Sequence, residues 1–181
     1  PSGPKKLESR VKPETLIKVS HLKTHFNDYS KQKIDGKYAL IKAVDDVSLN
    51  ILRGEILGLV GESGSGKSTL GRSILQLVPN TSGIVNFGVD QLTGLSPRQL
   101  VPWRRRMQMI FQDPYASLNP RMTVYETLSE PLLYHGLANR ENVLSRVSEL
   151  MDEVGLARGS MRKYPHEFSG GQRQRIAIGR A

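Results

Sequence analysis

The sequence predicts an α/β fold, because a strand, a glycine-rich loop and a helix follow one another directly. The apolar run at 56–60 has the length and composition of a buried strand. Beyond the loop, apolar residues recur at helical spacing until Pro79 ends the pattern. The loop fits the pattern G-x-x-x-x-G-K-[ST]. Its residues are Gly61, Glu62, Ser63, Gly64, Ser65, Gly66, Lys67, Ser68 and Thr69.

This loop pattern predicts a site for a nucleoside triphosphate. Glycines let the backbone turn tightly with its N–H groups directed into one concavity, and they leave room for an incoming phosphate. A helix beginning near Lys67 adds N–H donors and the positive end of its dipole. Lys67 would reach the β- and γ-phosphates, and the Ser68 hydroxyl would bind Mg²⁺. The alternative is an accidental match, with a chance on the order of 1% for average residue usage.

Composition limits the other function classes. The chain has 181 residues and no cysteine, so it has no disulfide framework. No apolar run approaches the roughly 18–20 residues that span a bilayer. The net charge of +9 is spread along the chain, and the densest basic run is only Arg104–Arg105–Arg106. Without an aromatic platform for bases, direct nucleic-acid binding is not expected.

Strands dominate the first half of the predicted structure. Residues 1–14 are basic and polar without an apolar stretch, which predicts a flexible tail rather than a secretory signal. The polar stretch 27–37 is predicted to be a loop or long hairpin connection. Strands are predicted at 15–19, 47–51, 56–60, 84–87 and 107–111.

Helices are predicted mainly in the second half. Ser96 and Gln99 have capping-box spacing around Pro97, and Thr123 and Glu126 form a second box that opens a helix to about residue 128. A longer helix is predicted over about 140–154, with Gly155 as its end.

A second glycine motif follows at 168–172. Ser169 and Gln172 stand at capping-box spacing, and Gly170 and Gly171 would leave the helix N–H groups accessible. By itself the motif is explained by a capped helix after a turn. Together with the phosphate loop, it indicates a nucleotide held from two sides.

These motifs resemble those of the ATP-binding-cassette ATPases. Residues 61–69 match the Walker A loop, and Gln112 stands at the position of the Q-loop glutamine. Phe168 begins the signature motif in place of the commoner Leu. Phe26 matches the aromatic residue that stacks on adenine, and Tyr29 and Tyr38 lie nearby as alternatives.

Two longer stretches, 111–121 and 164–175, are similar to the oligopeptide/dipeptide importer branch, and the resemblance covers about 16–181. It implies a P-loop NTPase core lobe with an antiparallel β subdomain at 15–112. A helical subdomain at 113–168 would follow, and then the signature and the start of its helix at 169–181.

The resemblance also implies cofactors and partners. ATP and Mg²⁺ would bind between two ATPase subunits paired head to tail, with Gln112 contacting the metal and the water region. Permease subunits in the membrane would hold the pair at the cytoplasmic face as a peripheral component. The implied function is the ATP-binding subunit of a peptide importer that couples ATP binding and hydrolysis to transport.

Several parts of the family's catalytic site lie beyond Ala181 in the pattern: Walker B, the general-base glutamate, the D-loop and the switch histidine. The acid pairs at 45–46 and 152–153 are interpreted as turn and helix-surface acids instead. We therefore expect a fragment whose core sheet lacks strands and whose apolar runs at 56–60 and 107–111 would be exposed if unpaired. The 181-residue chain alone is predicted to bind ATP weakly without hydrolysing it.

Two other functions remain open at this point. One is a soluble cassette ATPase acting on nucleic acid or ribosomes, and the other is a non-hydrolytic nucleotide-binding fragment. Co-purification with a permease, as opposed to RNA-dependent ATPase activity, would distinguish the importer from the first.

Overall fold

The computed structural model describes residues 14–33, 35–113 and 117–181. The chain divides into two compact units, Pro1–Val101 and Pro102–Ala181. The lobe boundaries expected from the resemblance remain predictions, and the tail predicted at 1–14 lies outside the described residues except for Glu14. Within the described residues, every helix is too short or too polar to cross a membrane.

Unit 1 contains a four-stranded antiparallel sheet in the order β2–β1–β3–β4. The strands are β1 (Thr15–Asp28), β2 (Ala39–Leu52), β3 (Ser82–Phe87) and β4 (Asp90–Gln91). Helix α1 (Lys67–Ile74) lies between β2 and β3 in the chain, and α2 (Pro97–Arg104) follows β4 and spans the unit boundary. The expected antiparallel sheet is therefore confirmed.

The hairpin of β1 and β2 is longer than the predicted strands at 15–19 and 47–51. The two strands pair over their whole length, from Thr15 opposite Leu52 to Asp28 opposite Ala39. The connection predicted at 27–37 lies between the end of β1 at Asp28 and the start of β2 at Ala39. Cross-strand hydrogen bonding extends the strands through polar residues that have no alternating apolar pattern.

The acid pair expected in a turn lies within β2. Asp46 has a left-handed φ of 60° and His21 one of 50°, and His21 Nδ1 lies 2.9 Å from Asp46 Oδ1. Asp45 lies 3.1 Å from His25 Nε2 and 3.2 Å from Lys42 Nζ. Two hydrogen bonds, from Lys42 and then from His25, hold the pKa of Asp45 below its usual range. Cross-strand partners therefore explain these acids.

The strand predictions at 56–60 and 107–111 are wrong for this structure. Both segments lack regular secondary structure, and the side chains of Ile56 and Val60 are 98% and 96% exposed. An apolar run on both faces requires strand neighbours on either side, and no described strand pairs with either segment. The expected exposure of the unpaired runs is seen, although Met107 is buried.

Unit 2 is helical in its described part. It contains α3 (Val124–Tyr134), α4 (Val143–Glu153) and α5 (Gly170–Arg180), with short 3₁₀ turns at Arg158–Ser160 and Pro165–Glu167. Helix α3 continues past the predicted end and includes Pro131. The three helices surround an apolar core. Its fully buried members are Val124, Leu128, Val147, Met151 and Ile176.

Both capping boxes predicted for α2 and α3 are present. Ser96 N donates to Gln99 Oε1 at 2.9 Å. At α3, Thr123 N donates to Glu126 Oε2 at 2.7 Å, and Glu126 N donates to Thr123 Oγ1 at 3.2 Å. The backbone hydrogen bond from Thr123, followed by the one from its hydroxyl, holds the pKa of Glu126 below its ordinary value of 4.5.

This cap predicts an acid-dependent loss of stability. The folded state binds fewer protons than the unfolded state between the lowered pKa and 4.5, so the contribution of Glu126 is complete above 4.5 and disappears as the pH falls through that window. We expect Glu126→Gln to weaken the acid dependence, measured by urea unfolding at pH values from about 3 to 7. Glu130→Gln, outside the capping box, is the matched control. Equal acid dependence in all three chains would contradict the prediction.

Candidate functional site

The glycine-rich loop of unit 1 has the turned geometry that its sequence predicts. Gly64 and Gly66 both adopt left-handed backbone conformations, with φ of 82° and 93°. Ser65 N donates to the Glu62 carbonyl at 3.2 Å, which closes the turn. Gly66 is the N-cap of α1, and no side chain caps this helix end. The first N–H groups of α1 are thus left without a capping side chain.

The second glycine of the turn packs against the β1–β2 hairpin. A Cβ atom on Gly66 would lie 2.0 Å from the carbonyl oxygen of Ala43. Thr24 pairs with Val44 and His25 with Lys42, so Ala43 is an additional residue on β2 and forms a β-bulge. The loop approaches the sheet at this bulge, where only glycine fits.

Lys67, the first residue of α1, extends back over the loop. Its Nζ donates to the Gly61 carbonyl at 2.7 Å, to the Glu62 carbonyl and to Ser65 Oγ at 3.2 Å. The ammonium group therefore donates to acceptors at both ends of the turn and stays beside the start of α1. Ser68, the predicted Mg²⁺ ligand, is exposed in the first helical turn, and Thr69 follows it half-buried.

Phe26 lies on β1 near this loop. It stands opposite Ile41, two residues along β2 from the bulge at Ala43. Its side chain is 39% exposed. Thr24 contacts α1 through Ser73, and residues i and i+2 of a strand share a face, so Phe26 belongs to the face of β1 that α1 covers.

The alternative aromatic residues, Tyr29 and Tyr38, lie beyond the paired ends of the two strands. Their rings contact each other edge to face with centroids 4.8 Å apart. Lys33 Nζ lies 4.9 Å from the Tyr38 ring centroid. The two tyrosines contact each other and Lys33, so Phe26 remains the better candidate for stacking on a base.

The second glycine motif begins α5 in unit 2. Ser169 is the N-cap, with Ser169 N donating to Gln172 Oε1 at 3.0 Å and Gln172 N donating to Ser169 Oγ at 3.3 Å. Phe168 is buried in the helical core and anchors the turn. A Cβ atom on Gly170 or Gly171 would meet nothing within 4 Å. Packing within the described chain therefore does not require glycine at either position.

The predicted site residues divide between the two units. Phe26 and the phosphate loop belong to unit 1, whereas Gln112 and the motif at 169–172 belong to unit 2. Gln112 is exposed in a bend that follows the irregular segment 107–111. Among the described residues, no three side chains of His, Cys, Asp or Glu form a cluster suited to a metal ion.

Sequence reasoning did not find the contacts that position the loop. The Ala43 carbonyl is a backbone group, and its role depends on a bulge that no local pattern indicates. Thr24 could have been noticed as a polar residue among apolar neighbours on β1, but its partner is 49 residues away.

Unit 2 also contains a cavity of about 460 Å³ with mixed charge. Side chains from α2, α3 and the end of α5 surround it. They include Arg104, Gln108, Glu130, Tyr134, His135 and Arg180.

The packing of the loop predicts different costs for alanine at three glycines. Gly66→Ala combines a left-handed φ with a clash against backbone, so we expect a loss of more than about 2 kcal/mol of stability. Gly64→Ala has the same backbone strain in open space and should cost about 1 kcal/mol. Gly71→Ala, inside α1 and also in open space, should be neutral or stabilising. Urea unfolding of the three variants measures this order, and equal losses at Gly64 and Gly66 would contradict it.

Comparisons with known proteins identify the family of the chain. The family described as ABC transporter matches residues 44–181. The chain is 51% identical over 170 residues to the oligopeptide transport ATP-binding protein OppF of Bacillus subtilis, covering 93% of this chain and 53% of that protein. It is 51% identical over 167 residues to the putative oligopeptide transport ATP-binding protein YkfD of the same organism, covering 92% of this chain and 49% of that protein. The chain thus spans about half the length of these relatives.

Solved structures show the same fold. A structure described as the dimeric bacterial ABC transporter cassette MJ0796 matches with a TM-score of 0.75 and 30% identity, covering 91% of this chain and 68% of that one. A second structure of MJ0796, described as a post-hydrolysis state bound to ADP and Pi, matches with a TM-score of 0.74 and 29% identity over 91% of this chain and 68% of that one. With a family match over most of its length and a shared cassette fold, the chain belongs to the ABC transporter family.

Proposed function

We propose that this chain forms the ATP-binding part of a subunit that drives peptide import across a membrane. The observation that carries the proposal is the turned loop at the start of α1, with Lys67 held over it. The names of the relatives, oligopeptide transport ATP-binding proteins, support the choice of peptide.

The phosphate tail would lie in the loop between Gly61 and Lys67. The uncapped N–H groups of α1 are donors without a side-chain acceptor at the cap, and the dipole of the helix favours an anion there. Lys67 has three N–H donors. Phosphate oxygens would replace the two loop carbonyls and Ser65 Oγ as its acceptors.

The adenine base would stack on Phe26. The ring is partly exposed and lies on the face of β1 that α1 covers. A base has a π-face that stacks on an aromatic side chain. The base would then contact β1, and the phosphate tail would contact the loop that follows β2. The β1–β2 hairpin links these two parts of the site.

Mg²⁺ would bind through the Ser68 hydroxyl, phosphate oxygens and water. This donor set fits the ion, because Mg²⁺ keeps several waters and uses few protein ligands at nucleotide sites. The ion would neutralise charge on the phosphates. Gln112 would contact Mg²⁺ and the water region, as the resemblance to the Q-loop glutamine implies.

The exposed glycines at the start of α5 support a dimer paired head to tail. Gly170 and Gly171 leave space that none of the described residues fills, at a helix N-terminus suited to an anion. We infer that the motif formed by Ser169, Gly170, Gly171 and Gln172 contacts the nucleotide bound by a second ATPase subunit. The dimeric description of the matching cassette supports such a pair.

The second partner would be a membrane permease, which would place the protein at the cytoplasmic face as a peripheral component. We propose the mixed-charge cavity of unit 2 as a contact for the permease. Arg104 and Glu130 provide both signs of charge there, and such groups favour a specific polar docking segment.

The proposal predicts that Lys67→Ala weakens ATP binding. Loss of a charge-assisted contact to the phosphates should lower the affinity by roughly 10- to 100-fold. Lys163→Ala removes the same charge from an exposed position in unit 2 and is the matched control. Isothermal titration of ATP into both variants tests the assignment, and equal affinities for wild type and Lys67→Ala would overturn it.

A second prediction concerns turnover by the 181-residue chain. Hydrolysis requires a coordinated metal and a positioned water, and the acids Asp45 and Asp46 are already paired with histidines. We expect ATP binding without steady-state phosphate release. Phosphate production above the Lys67→Ala background by the pure chain would show that its own residues complete a hydrolytic site.

A further inference from the structure

Two buried hydroxyl groups join the strand that carries Phe26 to the helix that carries the phosphate loop. Thr24 on β1 and Ser73 on α1 are both 0% exposed, and their oxygen atoms lie 2.8 Å apart. The side-chain amide of Asn80 lies beside them, with its Oδ1 3.4 Å from Thr24 Oγ1. Either hydroxyl can donate to the other.

Backbone hydrogen bonds hold the same strand segment on either side of Thr24. Thr81 N donates to the Lys23 carbonyl at 2.7 Å. His25 N donates to Thr81 Oγ1 at 2.9 Å. The chain leaving α1 is therefore fixed to residues 23–25 of β1, and the Thr24–Ser73 contact fixes the helix itself.

The contact lies between the two proposed parts of the nucleotide site. Thr24 precedes Phe26 by two residues on the same strand, and Ser73 follows Lys67 by six residues in the same helix. Six residues of α-helix are about 9 Å long and stiff. The contact of Ser73 with Thr24 thus determines where the phosphate loop lies along β1 relative to Phe26.

An apolar contact between these elements would hold the helix on the sheet without defining its position along the strand. A hydrogen bond is satisfied only over a few tenths of an ångström and within a limited angle. Moving α1 along β1 would break the hydrogen bond between these two buried hydroxyls, which is unfavourable. The hydroxyl pair therefore specifies the position of α1 along β1.

We propose that the Thr24–Ser73 hydroxyl pair is a positioning device that sets the spacing between Phe26 and the phosphate loop, so that one nucleotide contacts both at once. This inference rests on the proposed function, because it requires the base to lie on Phe26 and the phosphates to lie in the loop. Thr24 and Ser73 act through other residues and do not contact the nucleotide.

The experiment compares two ligands that differ in the base. Inorganic tripolyphosphate contacts only the phosphate loop, whereas ATP contacts the loop and Phe26. Thr24→Val replaces the hydroxyl with a methyl of similar size. We expect it to lower the affinity for ATP about tenfold and to change the affinity for tripolyphosphate less than about twofold, as measured by isothermal titration.

Four further variants separate positioning from simple stabilisation. Ser73→Ala removes the other hydroxyl and gives the same comparison if the Thr24→Val chain does not fold. Thr24→Ser restores the hydroxyl and should recover ATP affinity.

Thr127→Val is the matched control, because Thr127 is a buried threonine in unit 2 whose hydroxyl donates to the Thr123 carbonyl. In a Phe26→Ala background, Thr24→Val should cause little further loss of ATP affinity, because the base contact is already absent.

The outcomes are distinct. Selective loss of ATP affinity in Thr24→Val or Ser73→Ala, with recovery in Thr24→Ser, supports the positioning device. Equal losses for ATP and tripolyphosphate, or no loss for either, overturn it while leaving the proposed function intact. If the wild-type chain binds neither ligand, the proposed function is wrong and this inference is wrong with it.

Discussion

The close contact between Gly66 and the Ala43 carbonyl is the constraint on which the candidate site depends. It joins the start of α1 to the bulge in β2 at a distance that no other residue type permits. The left-handed φ of Gly66 turns the chain there, and Lys67 follows at once with its ammonium over the loop. One backbone contact therefore fixes the helix end, the turn and the charge together. The buried Thr24–Ser73 contact fixes the other end of the same helix.

Helices α1 and α5 both begin with glycine-rich motifs, but their N-termini are capped differently. The cap of α1 is a glycine without a side-chain acceptor, so the first N–H groups of this helix have no capping side chain. The cap of α5 is Ser169, whose hydroxyl already accepts from Gln172 N, so this helix end is stable in its own right. The difference is consistent with a primary phosphate site at α1. At α5, buried Phe168 anchors the turn, and we propose that the motif after it contacts a second subunit.

The apolar segments at 56–60 and 107–111 show how burial decides secondary structure. Their composition is that of buried parallel strands, yet a strand forms only where another strand supplies hydrogen-bond partners. In the described residues the sheet of unit 1 is antiparallel and lies elsewhere, so these segments are irregular and largely exposed. A strand at either segment would need neighbouring strands, and a local sequence pattern does not show whether these exist.

The sequence by itself determined the features that depend on neighbouring residues. The loop pattern, the left-handed glycines, the capping boxes at Ser96, Thr123 and Ser169 and the helical second unit all follow from contacts within a few residues. Tertiary structure alone decided the features that depend on distant partners. The length of the β1–β2 hairpin, the bulge at Ala43, the burial of Thr24 against Ser73 and the loss of two predicted strands belong to this class. The physical reason is that hydrogen bonds between strands, and the burial of a polar side chain, are satisfied by groups far apart in the chain, which a local pattern does not encode.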